Sequence, residues 1–143
     1  MGQQQLLLIV LSVIIVGIAV VVGIQMFGAS AASSNQEAVI NDLTNLAAKA
    51  QQYFVKPTSM GGGGNSFVGI AMQDMAPVGS SATTWSTENG EYTISTAGSA
   101  ESVSLQGTGT YQDKDSNVAQ VVMQVTANEI SITSMNRVAA SGS

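Results

Sequence analysis

Asp113, Asp115 and Asn117 stand in the pattern D-x-D-x-N, the way a calcium loop begins. Such a loop goes on to a glycine at its sixth position and a carboxylate at its twelfth. Here those places hold Val118 and Gln124. The reading that fits better is a turn in solvent, where Asp and Asn side chains bond the backbone just ahead of them. Calcium is the alternative. A second stretch, Thr58 to Asn65 (TSMGGGGN), has four consecutive glycines but no Gly-Lys-Ser/Thr after them, so it lacks the lysine and hydroxyl of a phosphate loop. It reads as a flexible crossover from helix to sheet. The chain has no Cys and no His. That removes disulfides, thiol nucleophiles, Cys/His zinc sites and the common haem ligands. No serine has a histidine to activate it, and the acids show no acid/base pairing. The expectation is a protein that is not an enzyme and has no cofactor.

The elements that would position these residues begin with charge. Only 9% of the 143 residues are charged, against about 25% in an average soluble domain. Four bases (Lys49, Lys56, Lys114, Arg137) face nine acids, for a net charge of −5, and all thirteen lie after residue 36. This balance argues against a nucleic-acid partner, which would need clustered Lys and Arg.

Leu6 to Phe27 (LLLIVLSVIIVGIAVVVGIQMF) is apolar apart from Ser12 and Gln25. At 1.5 Å per residue this is a helix of roughly 33 Å, enough to cross a bilayer core of about 30 Å. Ala29-Ser30-Ala31 is a small-x-small pattern that a signal peptidase could use, leaving a mature terminus near Ala32. The apolar run is longer than a signal peptide's, however, and MGQQQ carries no Lys or Arg.

Gly28 to Asn35 (GASAASSN) is small and polar, a candidate hinge, and Ser34-Asn35-Gln36-Glu37 fits a capping box at a helix start. Val39, Leu43, Leu46, Ala47, Ala50, Tyr53 and Phe54 then recur on one helical face, and Pro57 ends the helix near Val55. If the cap is weak, residues 6–55 form one rod of roughly 75 Å.

From Ser66 the period changes to two. Ser66–Met72 is a candidate strand. Asn89-Gly90 marks a hairpin between Thr84–Glu88 and Glu91–Thr96. Tyr92 shares a face with Ile94, Val103 with Leu105, and Val121 with Met123 and Val125. Ile130 and Ile132 alternate with polar residues after a turn at Thr126–Glu129. The expected architecture is α+β: a long N-terminal helix, apolar then amphipathic, packed on a small antiparallel β-meander. Its parts are an apolar transmembrane or filament-core helix (1–33), an amphipathic helix half (34–56), a Gly-rich loop (57–65) and a β domain (66–143).

An apolar helix running into an amphipathic one that covers an antiparallel sheet resembles the type IV pilin family. Asn41–Phe54 (NDLTNLAAKAQQYF) looks like the second half of a pilin's long helix. Pilins carry a Glu at mature position five. Counted from Met1 that place is Gln5; counted from a cut after Gly2 it is Leu7. The resemblance implies a pilin-like fold and a structural subunit of an extracellular filament at the cell surface, with an inner-membrane precursor. The implied partners are copies of the same chain in a helical homopolymer, and the membrane before assembly. The implied assembly residues are Gln3, Gln4 and Gln5, whose amides need bonds once water is excluded, and the apolar run behind them. That run opens with Leu6, Leu7 and Leu8, has Val16 mid-way, Gly17 and Gly23 where either helices come close or the helix melts locally on assembly, and ends at Phe27. The alternatives are a single-pass membrane-anchored binding domain, a secreted domain with a cleaved signal, and a pseudopilin of a secretion machine.

Overall fold

The computed structural model describes residues 2–76 and 79–140. A single helix, α1, runs from Gly2 to Val55. Its 54 residues span roughly 80 Å. The hinge expected at Gly28–Asn35 does not form, and Ser34 is not a cap. Three alanines in that stretch favour helix. Ala32 is already buried at the edge of the folded domain. Asn35 turns its side chain to the sheet, where Nδ2 donates to the Asn89 carbonyl and Oδ1 accepts from the Tyr111 N–H.

The glycines after α1 are a helix cap rather than a flexible loop. A helix leaves its last carbonyls without partners. Here the Gly63 N–H bonds the Tyr53 carbonyl, Asn65 bonds Phe54, and Gly64 bonds the Lys56 carbonyl. Gly61 and Gly64 take positive φ (84° and 59°), and a Cβ on Gly63 would strike the Ser66 carbonyl. Only glycine folds this tightly. A short 3-10 turn, Thr58–Met60, lies within the cap.

Ser66–Met72 is not a strand. Gly69 has a φ of 81°, which breaks an extended run, and the Ile70 N–H turns back to the Phe67 carbonyl. The stretch is a turn that buries Phe67, stacked on Phe54 at 4.8 Å between ring centres. A four-residue helix, α2 (Met72–Met75), follows and buries both its methionines.

Five strands form one antiparallel sheet in sequence order: β1 (Thr84–Ser86), β2 (Gly90–Thr96), β3 (Ser102–Gly109), β4 (Asn117–Thr126) and β5 (Ile130–Ala139). With α1 lying across it, the fold is α+β. The helix packs on β3 and β4. Val39, Leu43, Leu46, Ala47 and Ala50 meet Val103, Leu105, Val121, Met123 and Val125, all of them buried. Each fully buried Leu or Met adds about 1.5–3 kcal/mol. Gly107 lies between Tyr92 and Val121 in the ladder, directly beneath the helix. A Cβ there would come within 2.7 Å of Val39 Cγ1 and 3.0 Å of the Tyr92 ring. β5 lies beyond the helix's cover, so Ile132 and Met135 stay 44% and 48% exposed, and the single buried face expected of the whole meander stops at β4.

Candidate assembly surface

The sheet covers only the second half of α1. Every large apolar side chain from Leu6 to Phe27 is exposed on all sides of the helix, from Val22 at 47% to Phe27 at 78%. Leu6, Leu7, Leu8 and Val16 are among them, and Gln3, Gln4 and Gln5 are exposed ahead of them. This segment is long and apolar enough to cross a membrane. Burying one such side chain is favourable by about 1.5–3 kcal/mol, so a rod of this composition requires apolar surroundings.

Gly17 and Gly23 lie inside this rod. A glycine costs about 1 kcal/mol in helix propensity relative to alanine. A Cβ at either place would meet nothing within 4 Å in the subunit, so their absence of side chain serves no contact within the fold. The helix is unbroken across both.

The apolar rod is joined rigidly to the sheet. Tyr92 is fully buried, and its hydroxyl donates to Asp42 Oδ2 at 2.6 Å. The Asn89 side-chain amide donates to the same oxygen at 3.1 Å. Burial, reinforced by the Asp42 carboxylate, pushes the Tyr92 phenol well above its ordinary range. At the far end of the domain, the Gln51 amide donates to the Thr126 carbonyl. With Asn35 these contacts fasten three levels of α1 to the strand ends.

Where the apolar half leaves the domain, the loop between β3 and β4 overhangs the helix. An open groove lies between them, with Ile24, Gly28 and Ala32 on the helix side and Tyr111, Lys114 and Arg137 opposite. The D-x-D-x-N stretch forms this overhang. Asp113 Oδ1 accepts from the Asp115 and Asn117 N–H groups at 2.9 and 3.0 Å, and Oδ2 from Arg137 Nη1 at 3.4 Å. The Asn117 N–H, joined by that of Asp115 and by the guanidinium, holds the Asp113 carboxyl below its usual range. Ser116 closes the turn at a φ of 62°. These oxygens are engaged in a self-contained turn, and among the described residues no group of three or more His, Cys, Asp or Glu converges on a point.

Comparison with family models, with curated proteins and with solved structures finds no match to this chain. The surface is therefore read from its own residues. Sequence reasoning identified the apolar rod but missed the Tyr92–Asp42 bond and the groove. Asp42 falls off the apolar face of α1. Its only sequence signal is that a buried tyrosine hydroxyl must find a partner somewhere. The groove joins residues roughly 80 to 110 positions apart, and no local pattern marks it.

Proposed function

We propose that this chain is the structural subunit of an extracellular filament of the type IV pilus kind, assembled through the apolar half of α1. The observation that carries this reading is continuity: one helix passes from the apolar rod into the sheet domain with no linker. A tethered binding domain gains reach from a flexible connection. A helical polymer needs the opposite, because each outer domain must keep one orientation relative to the buried rods. The uncharged surface of the first 36 residues suits packing against identical rods, which brings no unpaired charge into the interior. Gly17 and Gly23, unused within the subunit, permit close approach between rods. The same surface is soluble in lipid, so monomers wait in the membrane. The role is structural rather than catalytic.

The test is negative-stain microscopy of material sheared from cells producing the full chain, with mass spectrometry of its N-terminus. Helical fibres composed of this chain are expected. Monomers extracted only by detergent, with no fibres, favour the membrane-anchored domain that the apolar segment also suits.

A further inference from the structure

We infer that the groove beneath the β3–β4 overhang seats the phosphate headgroup of an anionic membrane lipid while the subunit waits in the bilayer. This rests on the reading that the apolar half of α1 lies in lipid before assembly. Depth is the first argument. Leu6–Phe27 fills a bilayer core of about 30 Å, and the headgroup layer on each side adds roughly 5–8 Å. At 1.5 Å per residue that layer lies beside about the next four or five residues, Gly28 to Ala32. Gly28, Ala29 and Ala32 of that stretch line the helix side of the groove, with Ile24 and Gln25 at the edge of the span below them and Ser33 above.

The opposite wall has the chemistry of that layer. Tyr111 is 37% exposed, and its hydroxyl lies over Gly28, 3.8 Å from where a Cβ would stand. Tyrosine favours the boundary between hydrocarbon and headgroups because its ring is apolar and its tip polar. Two of the chain's four bases, Lys114 and Arg137, line the groove. Lys114 is exposed and has no carboxylate partner among the described residues. Arg137 uses one N–H on Asp113, leaving the rest of its fork for an anion. Asp113 also lines the groove, but its charge is engaged by two backbone N–H groups and that guanidinium, and Asp115 does not line it. Ile24 supplies an apolar wall below, where the first methylenes of a lipid chain would lie. No base follows the span in sequence until Lys49; the fold brings two to the membrane surface instead.

The lack of cysteine makes a direct test available. The full chain is placed in nanodiscs of phosphatidylcholine with a minority of phosphatidylglycerol, one fluorophore on Gln112→Cys in the groove or on Asn128→Cys at the distal β4–β5 turn. A nitroxide on the headgroup of either lipid is the quencher. Quenching at position 112 but not at 128 is expected, stronger from phosphatidylglycerol. Lys114→Gln should lower that preference about fivefold, from the known attraction of one surface lysine to anionic lipid. Lys114 holds nothing in the fold, so this variant keeps its structure, checked by circular dichroism. Equal quenching at both sites in discs that contain the chain overturns the groove assignment and leaves the membrane reading standing. A chain that does not enter discs removes both. Quenching that follows the number of chains per disc rather than the lipid assigns the groove to a second copy, and an unchanged preference in Lys114→Gln removes headgroup recognition; either overturns the inference.

Discussion

The Tyr92 hydroxyl and the Asp42 carboxylate, 50 residues apart in sequence, meet at 2.6 Å and lock β2 to α1. A hydrogen bond to a charged acceptor contributes about 1.5–3 kcal/mol. Tyr92→Phe keeps the ring and loses the bond, so it should lower unfolding stability by about that amount. The fluorescence of Trp85, whose ring centre is 5.3 Å from that of Tyr92, reports the transition in detergent. Asp42→Ala should cost at least as much, because it leaves a buried hydroxyl unpaired.

The same phenol gives stability a basic limit. Its folded value is raised above the ordinary 10.0, so the native state holds a proton that the unfolded chain releases. Above about pH 10 the unfolded state binds fewer protons, and unfolding free energy falls with rising pH. Below that value the contribution is fully present. Denaturation midpoints between pH 8 and 11 should show this decline in the wild type and a smaller one in Tyr92→Phe.

Gly107→Ala places a methyl between Val39 and the Tyr92 ring. Overpacking of this kind costs about 1–3 kcal/mol. Val39→Ala opens space on the helix side, so the double variant should lose less than the two singles combined. A non-additive cycle confirms the close approach of helix and sheet, while strict additivity contradicts it.

Val16 lies mid-way along the exposed rod, 61% exposed in the lone subunit. In a filament core, Val16→Asp buries an unpaired charge at several kcal/mol per subunit. Fibres should be lost while the sheet domain stays folded. Normal fibres from this variant would exclude the rod as the polymer core.

The helix is intact across Gly17–Gly23 in the subunit. Freed backbone groups in an apolar core have no water to bond, so it should remain helical in the filament. A density map of the polymer gives the rise per residue there. About 1.5 Å is expected; a value near 3 Å would mean that the segment has melted on assembly.

The elements that proved legible in sequence are those whose period matches their burial. The face from Val39 to Phe54 and the alternations at Val103–Leu105 and Val121–Val125 each have one covered side, which the residue order records. The hairpin marked by Asn89-Gly90 forms one residue early, with Glu88 and Asn89 at the turn and Gly90 already in β2, neither Asn89 nor Gly90 at positive φ. Glycine is needed there because a Cβ would strike the Thr108 carbonyl. Ser66–Met72 misled because Val68, Ile70 and Met72 alternate as a strand would, yet Val68 is exposed, and the buried Phe67 and Ile70 are three apart because a turn, not a strand, buries them. The capping pattern at Ser34 had no helix end to cap, since Ala32 and Asn35 tie the helix to the sheet and carry it through. Ile132 alternates as a buried residue would, yet the width of one helix leaves β5 uncovered. For the surface, the uncharged run was plain from composition, whereas Tyr111, Lys114 and Arg137 come to Gly28 only through the fold.

Because α1 passes unbroken from rod to sheet, the rod sets the compass bearing of the domain. Each residue of an α-helix turns the chain by about 100° and advances it 1.5 Å. One residue inserted between Leu6 and Phe27 would swing the whole sheet about 100° around the rod's axis, aiming β5 in a new direction. Seven inserted residues would bring it back to within about 20°, because two turns take nearly that many. If the rods pack as proposed, the length of the apolar run is an angular setting as well as a reach, and assembly should tolerate change only in near-whole turns.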